Sequence, residues 1–147
     1  VSVRLSEEHT LVIHAPRVTD APVITNDIAE MRTDGSFRIL GRRDNVINSG
    51  GIKIQIEAVE KVLYPYISGP FAVTSVPHPK LGEALVLLVT PASNPTYTRE
   101  VCSHQLSRLH QPQHILQVEA IPLTVNGKTD RAAAKKMASE RIPMPGR

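Results

Sequence analysis

Residues 41–60 read GRRDNVINSGGIKIQIEAVE, and three local structures follow one another within them. Val46 and Ile47, with polar neighbours, form a short β segment over Asn45 to Asn48. Ser49-Gly50-Gly51 is a tight turn, since glycine enters the positive-φ region without a Cβ penalty. Ile52, Ile54 and Ile56 then alternate, and Ile56, Val59 and Leu63 take up the three-and-four spacing of one buried helix face. Pro65 marks the end of that helix, because proline lacks the amide a continuing helix needs. A strand, a turn, a strand and a helix in such quick succession place the chain in the α+β class.

Upstream of this stretch the pattern is β throughout. Val1, Val3 and Leu5 alternate with polar residues, Leu11-Val12-Ile13 is a short apolar run, and Asp34-Gly35 predicts a two-residue hairpin joining residues 28–31 to 37–40. Downstream, Phe71 to Val76 and Ala84 to Val89 predict two central strands separated by a Pro77-His78-Pro79 turn. A helix is predicted from about Thr98 to Leu109, burying Cys102, Leu106 and Leu109, with Pro112 as its stop. His114 to Ala120 alternates as a strand with one buried face. Asn126-Gly127 is a turn, and Thr129 or Asp130 is the N-cap of a helix carrying Arg131 to Ala138. The tail from Ile142 to Arg147 contains two prolines and is expected to fray. The expected architecture is a small β-rich N-terminal part followed by a compact α+β domain whose short central sheet is flanked by helices.

Composition narrows the functions available. With 147 residues, 41% hydrophobic and 21% charged, the chain is long enough for one packed domain plus a smaller piece and is unlike a disordered or coiled-coil sequence. No run approaches the roughly 18 apolar residues of a membrane span, and the charged start VSVRLSEEHT is unlike a signal peptide. The single cysteine, Cys102, excludes an internal disulfide and a cysteine zinc cage, and a cytoplasmic location is expected. The net charge of +3 is uneven: residues 1–70 hold 8 basic and 9 acidic side chains, residues 71–147 hold 9 and 5. With aromatics at only 3%, base stacking has little to work with, so neither a nucleic-acid nor a membrane partner is expected. His104, His110 and His114 show no metal-ligand spacing, and no metal site is expected.

Two loops combine glycines with fixed charges. In the first, Gly50 and Gly51 let a ligand approach the backbone, while Arg42, Arg43 and Lys53 can meet phosphate or ribose oxygens. In the second, Thr124 to Arg131, an Asn-Gly turn lifts Lys128 to a hairpin tip just ahead of a helix start. Taken singly, each also fits a solvated turn, and Asp27 of Thr25-Asn26-Asp27 fits an Asx cap beside a strand.

Together and in order, TND, GRRDNVINSGGIKIQIEAVE, FAVTSVPHPKLGEALVLLVTP and IPLTVNGKTDR span Thr25 to Arg131. On these motifs the chain resembles the C-terminal part of the adenylate-forming enzymes, which include acyl-CoA synthetases, luciferases and peptide-synthetase adenylation domains. The wording TNDIAE with DGSFRILGRRDNVINSGGIKI is most similar to the 2-succinylbenzoate:CoA ligases of menaquinone synthesis. The resemblance implies a two-step reaction in which a carboxylic acid and Mg-ATP give acyl-AMP and pyrophosphate, and CoA then displaces AMP. It further implies that Asp27 and Arg42 meet the AMP ribose, that Asp44 is the hinge of a rotating cap, that Lys128 is the adenylation lysine, and that Gly50 and Gly51 line the pantetheine channel.

Departures from the family pattern are Asn26 in place of the usual Gly, Ile56 where many relatives have Pro, and Ala58 where many have Glu. The family's phosphate loop, rich in Gly, Ser and Thr, has no counterpart here, nor do the adenine-stacking aromatic and the acid pocket. The chain is therefore expected to be a fragment. Residues 1–43 would be a remnant of the small β subdomain of an N-terminal domain and 45–147 the mobile cap, with the hinge near Asp44. It would need that missing N-terminal domain as partner, use ATP, Mg2+ and CoA only within the full-length enzyme, and bind none of them alone. The alternatives are another acyl- or aryl-CoA synthetase, or a free-standing α+β binding module using its basic C-terminal half.

Overall fold

The structure is a computed structural model that describes residues 2–17 and 21–143. Val1 of the first expected strand and residues 144–147 of the expected frayed tail lie outside them. The chain divides into two compact units, Val1–Val46 and Ile47–Arg147.

The first unit is a single antiparallel sheet in the order β1-β2-β3-β4, formed by β1 (Ser2–Leu5), β2 (Thr10–His14), β3 (Val23–Met31) and β4 (Phe37–Arg42). Its apolar core is thin: Leu11, Val12 and Ala29 are buried, while Ile24, Phe37 and Ile39 stay exposed. The β3–β4 connection differs from the two-residue hairpin expected. Gly35 N–H donates to the Arg32 carbonyl, Arg32 N–H donates to Ser36, and Gly35 sits at φ +88°, which together make a three-residue loop closed by a glycine bulge. Asp34 holds the loop by accepting from both the amide and the hydroxyl of Ser36.

The second unit is built on a five-stranded sheet. Its strands are β5 (Val46–Ser49), β6 (Ile52–Gln55), β7 (Phe71–His78), β8 (Gly82–Val89) and β9 (His114–Gln117), with the path β6-β5-β8-β7 and β9 parallel to β8. Three helices complete it: α1 (Ile56–Leu63), α2 (Pro95–Gln105) and α3 (Arg131–Arg141). β8 explains the layering. Leu85, Leu87 and Val89 join one buried cluster with Val59 and Leu63 of α1 and Val101 and Cys102 of α2. Ala84, Val86 and Leu88 join a second with Ala134 and Ala138 of α3. A strand covered on both faces has no use for polar alternation, so it reads as an unbroken apolar run.

Several boundaries move from expectation for local physical reasons. α2 starts at Pro95, because the Asn94 side chain accepts from the amides of Thr96 and Tyr97 and proline suits the first helical position. It ends at Gln105, so Leu109, in a following 3-10 turn, is 61% exposed and does not share the buried side expected for it. β7 runs on through Pro77 and His78, paired with Glu83 and Gly82. Proline is tolerated there because β7 is an edge strand, and the turn falls at Pro79–Leu81, where His78 Nδ1 accepts from the Lys80 and Leu81 amides. β9 is shorter than expected and uses both faces: Ile115 packs on the first cluster and Leu116 on the second.

Candidate functional site

In the first unit, Asp27 lies within β3 and not in a turn beside it, as the Asx-cap reading had it. Backbone irregularity surrounds it on both sides. The β2–β3 register shifts between Thr10/Val12, and the β3–β4 register shifts between Ile28/Ala29. The Thr25 hydroxyl donates to the Leu11 carbonyl and accepts the Asp27 amide across the irregular stretch. Bulges of this kind re-aim side chains and recur beside functional sites. Asp27 is paired with Arg42 in the β3–β4 register, and Arg42 Nη1 donates to Asp27 Oδ1 at 3.2 Å. Both side chains remain accessible, at 31% and 52% exposure. An acceptor carboxylate beside a guanidinium donor matches the two hydroxyls of a vicinal diol. Asp44 follows in the 3-10 turn Arg43–Asn45, and Arg43 forms an ion pair with Glu8.

In the second unit, Gly50 and Gly51 form the turn between β5 and β6 at φ +62° and +83°. Both positions therefore require glycine or pay strain, and a Cβ on Gly51 would meet nothing within 4 Å. The Gly50 amide donates to the Leu81 carbonyl at 2.8 Å.

Lys128 ends a second three-residue loop, built like the one at Gly35. Gly127 N–H donates to the Thr124 carbonyl at 3.0 Å, Thr124 N–H donates to Lys128 at 2.7 Å, and Gly127 sits at φ +79°. The Leu123–Thr129 bridge closes the hairpin, and Asp130 caps α3 by accepting from the Ala133 amide. The Lys128 side chain is exposed and pairs with no carboxylate among the described residues. Among the residues singled out from sequence, Asp27 and Arg42 are brought together by a side-chain hydrogen bond.

Sequence reasoning missed the clasp behind Lys128. Arg131, at the start of α3, donates to both oxygens of Glu60 in α1 at 2.8 Å each, and Glu60 Oε2 also accepts the Val73 amide of β7 at 2.9 Å. The carboxylate holds the Arg131 guanidinium pKa above its already high ordinary value. A signal was present: at 100° per residue, Glu60 lies about 40° beyond Ile56, at the border of the arc that buries Ile56, Val59 and Leu63, where a charge close to the core needs a partner. Beside the clasp, Glu60, Tyr64, Ile67, Phe71 and Thr129 help line an open groove of about 610 Å³. Cys102 is 1% exposed and its thiol pKa is pushed up by burial, which opposes a nucleophilic role.

Residues 71–128 match the AMP-binding enzyme C-terminal domain. The chain is 34% identical over 120 residues to tyrocidine synthase 3 of Brevibacillus parabrevis, covering 80% of this chain and 2% of that protein. It is 34% identical over 113 residues to the oxalate--CoA ligase of Arabidopsis thaliana, covering 73% of this chain and 22% of that protein. Among solved structures, it is similar to an acyl-CoA synthetase (AMP-forming)/AMP-acid ligase II-like protein from Dyadobacter fermentans, with 30% identity and a TM-score of 0.56 over 90% of this chain and 40% of that one. The chain thus spans less than half the length of each of these proteins. Residues 71–128 thus match the C-terminal domain of AMP-binding enzymes, and over most of its length the chain is similar to proteins of the adenylate-forming superfamily.

Proposed function

We propose that the chain is the C-terminal part of an ATP-dependent, AMP-forming acid:CoA ligase and acts with an N-terminal domain that completes the nucleotide and acid sites. The observation that carries this reading is Lys128, exposed and paired with no carboxylate among the described residues, on a hairpin closed by the Leu123–Thr129 bridge just ahead of the α3 cap. In the first step a carboxylate oxygen of the acid attacks the α-phosphorus of ATP, and the bond to pyrophosphate breaks. Lys128 reaches the oxygens on which negative charge gathers, a preorganised cation of the kind that lowers such barriers. Asp27 accepts from the ribose hydroxyls while Arg42 steadies it and donates alongside. Mg2+ accompanies ATP and neutralises its phosphates.

In the second step the CoA sulfur attacks the acyl carbon, AMP leaves, and the thiol proton passes to solvent. Gly50 and Gly51 present backbone without side chains along the thiol's path, and rotation about Asp44 exchanges Lys128 for this turn. The exposed Ile24, Phe37 and Ile39 of the first sheet support a further domain packed there.

For the acid, 2-succinylbenzoate is the substrate to offer first, on the wording of residues 25–30 and 34–54; the match to an oxalate--CoA ligase supports another acyl- or aryl-CoA synthetase equally. ATP–pyrophosphate exchange by the full reading frame, with 2-succinylbenzoate, oxalate, a fatty acid and a benzoate, tests both levels. Exchange with none of them, while the protein is folded, overturns the proposal.

A further inference from the structure

The Gly50-Gly51 turn has no side chains of its own to hold it, and β5 meets β8 in register only at Ser49 and Gly82. The fixing comes from Glu83. Its Oε2 accepts the Asn48 amide at 2.8 Å, one residue before the strand's end and in place of a ladder carbonyl. Its Oε1 accepts the Ser75 hydroxyl of β7 at 3.0 Å and the Lys135 ammonium of α3 at 3.4 Å. Ser75 is 3% exposed, so one end of the carboxylate is anchored in the packed sheet while the other grips the strand that leads into the turn. The Leu81 carbonyl completes the support through Gly50.

We infer that Glu83 is a positioning residue for thioester formation, resting on the reading above that Gly50 and Gly51 line the thiol's path. Without the carboxylate, the Asn48 amide loses its acceptor, and on the β8 side the strand and turn keep the Ser49–Gly82 pairing and the Gly50 contact. A displacement of about 1 Å at such a surface costs up to about 10²-fold in rate. Lys128 sits on a separate hairpin with its own hydrogen bonds, so adenylation has no reason to change.

The test compares half-reactions in the full enzyme. Glu83→Ala is expected to slow CoA thioester formation from preformed acyl-adenylate by about 10-fold or more, with ATP–pyrophosphate exchange within about 2-fold of the parent. Glu83→Gln is expected to restore most of the thioester rate, since an amide oxygen can accept from Asn48 and its NH2 can donate to Ser75. Faster deuterium exchange at the Gly50 and Asn48 amides in Glu83→Ala provides a readout independent of turnover. Equal loss of both half-reactions, or an unchanged thioester step, overturns the inference. Gly51→Ala separates the two levels: if it slows thioester formation while Glu83→Ala does not, only the role of Glu83 fails. If both leave that step unchanged, the reading of the turn as the thiol's path fails as well.

Discussion

Replacing Arg131 with alanine removes two charge-assisted hydrogen bonds of 2.8 Å and leaves Glu60 with the Val73 amide as its remaining bonded partner in this clasp. An exposed ion pair contributes about 0–1 kcal/mol, whereas breaking a buried one costs about 3–5 kcal/mol. The Arg131 and Glu60 side chains are 29% and 19% exposed, so the clasp falls between these limits. We expect a loss of about 2 kcal/mol, tempered by water reaching the stranded carboxylate through the open side. With a urea dependence of about 2 kcal/mol per molar, the midpoint should fall by about 1 M.

Cys102 supplies an assay confined to the second unit. It is the chain's single cysteine, 1% exposed, and lies in the cluster that contains Val59 and Leu63 of α1. Pulse labelling of the thiol across a urea series therefore follows opening of that core. Arg131→Met with Glu60→Gln should recover part of the loss, because neither charge is left stranded. A midpoint shift below about 0.3 M for Arg131→Ala, the size expected of a surface pair, would refute the clasp.

Lys128→Ala in the full enzyme should slow adenylation by about 10²-fold or more while sparing thioester formation from preformed acyl-adenylate, and equal loss in both would remove Lys128 from its role. Asp44→Pro should slow the thioester step more than adenylation. Because proline at 44 also disfavours the helical backbone of Arg43, equal slowing of both steps would mean a local effect on the 3-10 turn instead of a restrained rotation. The Ser36 hydroxyl and amide hold the Asp34 carboxyl below its ordinary value of 3.8. Its contribution to the hairpin is therefore fully present above pH about 4 and fades as the pH falls through the lowered value. A carboxyl carbon titration of Asp34 by NMR with a midpoint at or above the ordinary value would contradict this.

Much of the fold was legible because it depends on local chemistry. Asn94 and Asp130 declare helix starts through side-chain acceptors, Gly35 and Gly127 declare loops through positive φ, and Ala84 to Val89 declare a central strand by having no polar residue. The length of the Asp34-Gly35 loop was misread, since Asp-Gly serves both two-residue turns and the three-residue form with a glycine bulge. Leu109 was misplaced because helical spacing continues in sequence after Leu106 has ended the helix in space. The turn assigned to Pro77-His78-Pro79 failed because proline breaks only a ladder that needs its amide, and an edge strand does not.

The candidate site divides in the same way. The sequence by itself marked Arg42, Gly50, Gly51 and Lys128 as charges and glycines of two turn-forming loops, a short-range pattern, while Asp27 was singled out through the resemblance of its TND motif to the adenylate-forming family. Only the tertiary structure decided that Asp27 and Arg42 face each other across a bulged hairpin, that Arg131 closes on Glu60, and that Glu83 holds Asn48. The last two pairings are 71 and 35 residues apart in the chain, and their partners are chosen by which strands and helices the two apolar clusters bring together. Periodicity reports which face of an element is buried, but it carries no record of the neighbour that buries it.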